Sequence, residues 1–223
     1  MSRLILSLLV WLVSTAAVAA SPQPILVLGD SLSSAYRIAP EDGWVHLLRA
    51  RLDRAGVARR LINASIAGET SAGGLERLPE LLAKHHPALV IVELGANDGL
   101  RGLPLATIRD NLTAIVTRSR DAGARVVLLG IELPVNYGPH YRDGLRTLYR
   151  DLSREFNLPL VPFLLEGVAL DPALMQEDGL HPTAAGEPKV LDNVWAVLEP
   201  ALRDLAGAAP RERKKAGSPR PAP

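Results

Sequence analysis

A serine near the start of the chain and a histidine with a neighbouring aspartate near its end are the residue types that nucleophilic catalysis uses. Ser31 lies in the run GDSLS, and His181 lies in DGLHP, three residues after Asp178. A serine hydroxyl is a weak nucleophile that needs a base, and the base needs an acceptor on its second ring nitrogen. These residues predict Ser31 as the nucleophile, His181 as its base and Asp178 as the carboxylate that orients the base.

Each half of this arrangement also has a structural interpretation. Serine is a common N-cap residue, so Ser31 could simply begin a helix. An aspartate and a histidine three residues apart are also common in surface loops, where they need serve no catalytic purpose. On these residues alone both interpretations stay open.

Two further segments carry groups that could donate hydrogen bonds to a substrate oxygen. Gly68 lies in SIAGET, and a residue without Cβ lets its backbone N–H approach a ligand closely. Asn97 lies in ELGANDG and offers a side-chain amide, although asparagine in a turn usually bonds its own backbone. Three polar, glycine-containing segments in succession, each after a predicted strand, are much more specific than any one of them.

The hydrophobic pattern predicts alternating strands and helices that bring these segments to one edge of a sheet. Five short apolar runs are the predicted strands: residues 25–28, 60–64, 88–94, 125–129 and 158–161. Apolar residues at helical spacing predict five helices, around residues 44–52, 75–82, 108–116, 145–156 and 190–205. This alternation predicts an α/β fold with a parallel sheet covered on both faces. Ligands bind such sheets at the carboxyl ends of the strands.

The two ends of the chain differ in composition from its body. Arg3, an apolar run over 4–13 and small residues over 16–20 predict a cleaved signal peptide. A retained membrane anchor is disfavoured, because the apolar run is shorter than the roughly 20 residues that span a bilayer. The last residues are rich in proline, alanine and basic side chains, which predicts a disordered tail. The predicted organisation is a signal peptide (1–20), one catalytic domain (21–206) and a basic tail (207–223).

Composition excludes several classes of site. The 223 residues include no cysteine, so disulfides, thiolate catalysis and cysteine-based zinc sites are absent. There is no G-x-S-x-G, Walker loop, H-E-x-x-H or G-x-G-x-x-G, and we expect no metal and no cofactor. His85 and His86 lack partners at metal-ligand spacing and are interpreted as surface residues. The body between the basic ends is mildly acidic, which disfavours nucleic acid as a partner.

In this order, the four segments resemble the four conserved blocks of the SGNH (GDSL-type) hydrolases. The stretches NASIAGETSAGGLERLP, VELGANDGLRG, ELPVNYG and QEDGLHP are similar to the periplasmic acyl-CoA thioesterase I / lysophospholipase L1 / arylesterase group of that family. The resemblance covers nearly all of the predicted mature chain. It implies a three-layer αβα sandwich around a five-stranded, parallel, flavodoxin-like sheet. It also implies an oxyanion hole made by the N–H groups of Ser31 and Gly68 and the side chain of Asn97.

Two local departures from the pattern fall close to these blocks. Ala96 stands where the relatives tend to have glycine, and it could stiffen the turn that presents Asn97. The sequence Glu187-Pro188 follows the histidine block and could shift the start of the last helix.

The resemblance implies hydrolysis of acyl esters and thioesters, including lysophospholipids and aryl esters, through an acyl-serine intermediate. Two loops after predicted strands carry side chains that could line an acyl groove: Leu100, Leu103, Val135 and Tyr137. The alternatives are a carbohydrate O-acetyl esterase of the same fold and, from another class, a lipid-binding protein without activity. We expect a monomer that acts on small molecules in the periplasm or outside the cell, without stable membrane insertion after signal cleavage.

Overall fold

Five parallel strands form the centre of residues 22–207, the part of the chain that the computed structural model describes. They are β1 (Ile25–Gly29), β2 (Leu61–Asn63), β3 (Leu89–Glu93), β4 (Arg125–Leu129) and β5 (Leu160–Val161). Their order in the sheet is β2-β1-β3-β4-β5, and each neighbouring pair is parallel. This is the flavodoxin-like order, so the predicted fold class is confirmed.

Six α-helices accompany the sheet within the described residues. They are α1 (Trp44–Arg54), α2 (Ser71–His85), α3 (Ala96–Leu100), α4 (Leu105–Asp121), α5 (Pro139–Glu155) and α6 (Glu187–Gly207). The hydrophobic pattern predicts all of these except α3, which is too short to show a helical period. Helix α1 packs against α6, and α4 lies between α2 and α5. Right-handed crossovers place these two groups on opposite faces of the sheet, which gives the three layers.

The centre of the sheet is also the centre of the hydrophobic core. Every residue of β1 and β3 is buried. A strand covered by helices on both faces needs apolar side chains on both faces, which explains the continuous runs ILVL and LVIV. The fully buried strand β1 therefore ends two residues before Ser31, and the fully buried strand β3 ends four residues before Asn97.

The chain after β1 does not continue as a helix. Residues 31–37 form turns, in which the N–H groups of Ser33 and Ser34 bond the carbonyl of Asp30 at 3.3 and 3.1 Å. Ser31 therefore has no helix to cap, and the structural interpretation of this serine loses its basis.

The predicted signal peptide (1–20) and the predicted tail (207–223), apart from Gly207, lie outside the described residues. The domain boundaries drawn from composition stay predictions. Within residues 22–207, none of the helices has both the length and the apolar content that a membrane crossing needs.

A buried carboxyl group connects the two helices of one outer layer. Glu187 is the first residue of α6, and Pro188 follows in its first turn, where a missing N–H costs no hydrogen bond. Glu187 is 2% exposed, and its Oε2 accepts the backbone N–H of Trp44 at 2.9 Å. Burial raises the pKa of Glu187 to about 7, although the bond from Trp44 acts in the opposite direction.

We expect Glu187→Gln to stabilise the protein at pH 8 and to change little at pH 5. In the folded state the carboxyl group titrates near 7, above its ordinary value of 4.5, so the folded state holds the proton more tightly. Its contribution to stability is full below about pH 4.5 and is lost as the pH rises towards 7. Such a shift corresponds to at most about 3 kcal/mol. Gln keeps the acceptor for Trp44 without the buried charge.

Urea unfolding at pH 5 and pH 8 measures this difference. Glu199→Gln on the same helix is the matched control, because this carboxyl group is about half exposed and pairs with Arg203 at the surface. An equal change in the free energy of unfolding at both pH values would contradict the prediction.

Candidate active site

Ser31, His181 and Asp178 form one chain of hydrogen bonds at the carboxyl edge of the sheet. Nε2 of His181 lies 2.9 Å from Oγ of Ser31, and Nδ1 lies 2.8 Å from Oδ2 of Asp178. The second oxygen of Asp178 accepts the backbone N–H groups of Leu180 and His181 at 2.9 and 3.1 Å. The turn from 178 to 181 thus fixes both nitrogens of the imidazole. This is the geometry that a hydroxyl activated by a base requires.

The charge of Asp178 determines which imidazole nitrogen carries the proton. Partial burial raises the pKa of Asp178, but the hydrogen bonds from Leu180 and from the ring and backbone of His181 outweigh it, and the pKa lies below its usual value. At neutral pH Asp178 is therefore an anion. An anion beside Nδ1 keeps a proton on that nitrogen, which leaves Nε2 as the acceptor for the hydroxyl proton of Ser31.

The segments after β2 and β3 bring the two other predicted residues to the same edge. Strands β2 and β3 flank β1, so Gly68 and Asn97 lie on either side of the Ser31 segment. Within residues 22–207, the N–H groups of Ser31 and Gly68 donate to no protein acceptor. One hydrogen of the Asn97 amide bonds Oδ2 of Asp30 at 2.9 Å, which leaves the other for a ligand.

The backbone at Gly68 is open to a ligand. Gly68 has a φ of +81°, in the left-handed region that favours glycine, and no atom lies within 4 Å of the position a Cβ would take. Its carbonyl accepts a hydrogen bond from Arg101 at 3.0 Å, which holds the segment in place. The sequence gives no signal for Arg101, because this contact joins two loops 33 residues apart.

Ala96 is the first residue of α3 and does not have a positive φ. Alanine therefore fits this position without strain, and helical backbone, rather than a free turn, presents Asn97. The preceding Gly95 has a φ of +117°, and a Cβ there would lie 2.3 Å from the hydroxyl of Tyr149. At this end of β3, glycine is required one position before the alanine.

An apolar cavity of about 170 Å³ opens beside the nucleophile. Its lining includes Ser31, Asn97 and His181 together with apolar side chains from helix α3 and four loops: Leu32, Leu100, Ile131, Leu133, Phe163, Leu165 and Leu180. The cavity can therefore hold an apolar group next to a hydroxyl, an imidazole and an amide. Gly68 is not part of this lining and borders the nucleophile from the side of β2.

Of the four predicted groove residues, the structure places only Leu100 in the cavity wall. Val135 is 78% exposed, and Leu103 and Tyr137 lie outside the lining. The hydroxyl of Tyr137 donates to the carbonyl of Leu100 at 2.8 Å, so Tyr137 supports the wall from behind.

The side chains that replace them follow β4 and β5. Ile131 and Leu133 come directly after β4, and Phe163 and Leu165 come directly after β5. Ile131 and Leu133 lie on either side of the partly exposed Glu132, whereas Phe163 and Leu165 lie at the start of a turn in which the N–H of Glu166 bonds the carbonyl of Phe163 at 3.3 Å. The sequence after β5 shows no alternation, because Leu164 between the two residues is also apolar and buried, so the sequence did not distinguish the cavity residues from their neighbours.

Tyr36 is a further site residue that sequence reasoning missed. Its ring centroid lies 4.5 Å from that of His181, with the planes tilted by 39°. The side-chain amide of Gln176 donates to the carbonyls of Tyr36 and Pro182, at 2.9 and 2.8 Å, and so joins the two loops. No local sequence pattern predicts this contact, because Tyr36 and His181 are far apart in the chain.

The pair of histidines at the end of α2 is remote from this site. His85 is the last residue of the helix, and His86 is its C-cap in the left-handed conformation, with a φ of 45°. Within residues 22–207, no three histidine, aspartate or glutamate side chains converge in a way that could hold a metal ion.

Comparison with known proteins gives concordant matches. Residues 27–187 match the model of the GDSL-like lipase/acylhydrolase family. Esterase TesA of Pseudomonas aeruginosa is 49% identical over 183 residues, which cover 82% of this chain and 91% of that protein. Thioesterase 1/protease 1/lysophospholipase L1 of Escherichia coli (strain K12) is 41% identical over 184 residues, which cover 82% of this chain and 87% of that protein.

Solved structures agree with these matches. The crystal structure of TesA superposes with a TM-score of 0.78 at 49% identity, covering 80% of this chain and 99% of that one. The psychrotrophic esterase EstA from Pseudoalteromonas sp., in a structure inhibited by monoethylphosphonate, superposes with a TM-score of 0.77 at 42% identity, covering 81% of this chain and 99% of that one.

Proposed function

The chain belongs to the GDSL-like lipase/acylhydrolase family, and we propose that it is an exported serine hydrolase that cleaves acyl esters and thioesters through an acyl-serine intermediate. The observation that carries the proposal is the 2.9 Å contact between Oγ of Ser31 and Nε2 of His181 at the wall of an apolar cavity. The names of the relatives, an esterase and a thioesterase with lysophospholipase activity, agree with this chemistry.

In the first half-reaction His181 accepts the proton of Ser31 at Nε2, and the serine oxygen attacks the carbonyl carbon of the substrate. The tetrahedral oxyanion accepts hydrogen bonds from the N–H groups of Ser31 and Gly68 and from the amide of Asn97. His181 then gives the proton to the leaving oxygen or sulfur, and the acyl group remains on Ser31. Asp178 stabilises the imidazolium that exists between these transfers.

In the second half-reaction a water molecule takes the place of the leaving group. His181 removes a proton from the water, the hydroxide attacks the acyl carbon, and the same donors stabilise the second oxyanion. Return of the proton to Ser31 releases the carboxylic acid and restores the enzyme. Apart from the substrate and one water molecule, the cycle uses only side chains and backbone groups of this chain, so we propose that it needs no metal or cofactor.

The apolar lining supports an acyl chain longer than acetyl as the preferred group. The cavity wall carries seven large apolar side chains, whereas an acetyl group has a single methyl to bury; each buried CH₂ of a longer chain contributes about 0.8 kcal/mol. Small-molecule acyl esters, thioesters and lysophospholipids are therefore the proposed substrates. The carbohydrate O-acetyl esterase remains the alternative that the substrate test distinguishes.

The remaining expectations belong to the same proposal. The composition of residues 1–20 supports export by a cleaved signal peptide, with the enzyme in the periplasm or outside the cell. One catalytic domain followed by a basic tail, acting as a monomer without nucleic acid or stable membrane insertion, agrees with the composition of the chain.

We expect wild-type protein to hydrolyse medium or long p-nitrophenyl esters faster than the acetate, and Ser31→Ala to be inactive on all of them. The cavity accommodates part of the longer chains, whereas the nucleophile is common to every substrate. Steady-state rates over a series from two to sixteen carbons, with both proteins purified in parallel, measure this. Cleavage of the acetate alone would favour the O-acetyl esterase, and activity retained by Ser31→Ala would overturn the nucleophile assignment.

A further inference from the structure

Two carboxyl groups lie buried directly beneath the nucleophile. Asp30 precedes Ser31, and Glu93 ends the neighbouring strand β3, where it is in register with Gly29. Both side chains are 0% exposed. The catalytic cycle uses neither of them. Because a buried carboxyl group is costly unless its oxygens are hydrogen-bonded, the contacts of this pair call for an explanation.

The contacts of Asp30 connect the nucleophile segment to the amide of Asn97. Oδ1 of Asp30 accepts the backbone N–H of Leu32 at 3.0 Å, and Oδ2 accepts Nδ2 of Asn97 at 2.9 Å. An ionised carboxylate only accepts hydrogen bonds, so it attracts the nitrogen end of the Asn97 amide and repels the oxygen end. Asp30 therefore determines which end of that amide lies beside it.

The contacts of Glu93 are those of a neutral acid. Its Oε2 accepts the backbone N–H of Asp30 at 3.1 Å and the hydroxyl of Ser33 at 2.9 Å. Its Oε1 is buried and has no hydrogen-bond partner among the described residues, so no donor would stabilise a negative charge on this oxygen. Burial, together with the nearby charge of Asp30, raises the pKa of Glu93 well above its usual value.

The state of Asp30 follows from the same surroundings. Burial raises the pKa of Asp30 to about 6, although the hydrogen bonds from the N–H of Leu32 and the amide of Asn97 act in the opposite direction. Above that pH, Asp30 is the anion of the pair and Glu93 is the neutral partner. Two like charges so close together in a buried site are avoided, because only one of the two groups ionises.

The glycine before Asp30 leaves room for this arrangement. A Cβ on Gly29 would lie 2.8 Å from Oε2 of Glu93 and 2.9 Å from the side chain of Ser33. In the GDS run, the glycine therefore leaves space for the side chain of Glu93, and the backbone N–H of the aspartate donates to it.

From these contacts we propose that Asp30 is a positioning residue for the oxyanion hole, holding the amide nitrogen of Asn97 so that its second N–H faces the developing oxyanion, with neutral Glu93 as its support. The inference rests on the proposed function, because it assigns a role in stabilising the oxyanion. Asp30 does not line the cavity, and the proposed effect on the oxyanion is exerted through Asn97, while its bond to the N–H of Leu32 holds the turn after Ser31.

A double-mutant cycle between Asp30 and Asn97 tests the inference. Asp30→Asn removes the charge, and the new amide can face Asn97 with either its oxygen or its nitrogen, so the orientation of Asn97 is no longer determined. We expect kcat on the preferred p-nitrophenyl ester to fall about tenfold to a hundredfold, a part of what loss of the whole donor costs, with little change in KM. In an Asn97→Ala background the same substitution should change kcat less than about threefold.

The background dependence separates positioning from a merely structural role. An equal loss of kcat from Asp30→Asn in both backgrounds, or an unchanged kcat in the wild-type background, would overturn the inference. Glu187→Gln is the matched control, since it also neutralises a buried carboxyl group but lies at the contact between α1 and α6. If Asp30→Asn does not fold, Asp30→Ser takes its place in the same cycle. Failure of the proposed function is recognised separately, because wild-type protein would then hydrolyse no ester.

Discussion

Replacing Ser31 or His181 by alanine is expected to lower kcat for ester hydrolysis by about 10⁴- to 10⁶-fold, and replacing both should cost little more than replacing either. The two side chains share one hydrogen bond of 2.9 Å and one proton transfer. Without the base the hydroxyl is a weak nucleophile, and without the hydroxyl the base has nothing to activate. The two losses are therefore strongly non-additive.

Steady-state kinetics of both single variants and the double variant, on the ester that wild type prefers, measure this coupling. His46→Ala, an exposed histidine on α1, is the matched control and should keep the wild-type kcat. Losses that multiply in the double variant would show that the residues act independently and would contradict the assignment of His181 as the base of Ser31. Circular dichroism of each variant separates a chemical loss from a loss of fold.

Replacing Asn97 by alanine is expected to lower kcat by about 10²- to 10³-fold with a much smaller change in KM. The amide lines the cavity together with Ser31 and His181, and Asp30 holds only one of its two hydrogens. A donor aimed at the position of the oxyanion stabilises the transition state more than the bound ester, so its loss appears in kcat.

A structural asparagine provides the contrast for this experiment. The amide of Asn193 donates to the carbonyls of Leu164 and Glu166 at 3.0 and 2.8 Å, in the segment that carries Phe163 and Leu165 of the cavity wall, and it makes no contact with the nucleophile. Asn193→Ala should therefore lower the melting temperature and raise KM, while leaving kcat within a few-fold. Near-wild-type turnover of Asn97→Ala would show that Asn97 is not part of the oxyanion hole. It would also contradict the positioning role inferred for Asp30.

The positions of the two buried acids suggest why the site tolerates so much polarity at the end of a hydrophobic sheet. Glu93 is the one charged residue type in the otherwise apolar run of β3, and its neutral form agrees with full burial. The negative charge of the pair rests on Asp30, where two N–H donors satisfy it. The cost of burying polar groups at this point is thus offset by hydrogen bonds within the machinery itself.

The sequence alone was sufficient to predict the strands of the sheet, most of the helices and the convergence of the main site residues. Continuous apolar runs mark strands buried on both faces, and a regular alternation with helices leaves few topologies for a parallel sheet. The resemblance of the motifs to the SGNH hydrolases implies the flavodoxin-like sheet; in that sheet the strands before Ser31, Gly68 and Asn97 are neighbours, so these residues converge at one edge. The motif spacing also placed Asp178 within reach of His181.

Only the tertiary structure decided the contacts made across loops. Helix α3 is too short to leave a hydrophobic period, and the wall of the cavity comes from loops after β4 and β5 whose directions no local pattern records. The contact of Tyr36 with His181 and that of Asp30 with Asn97 join segments separated by 145 and 67 residues. Periodicity in a sequence reports which residues are buried, whereas the partner of a buried polar atom depends on the packing of elements far apart in the chain.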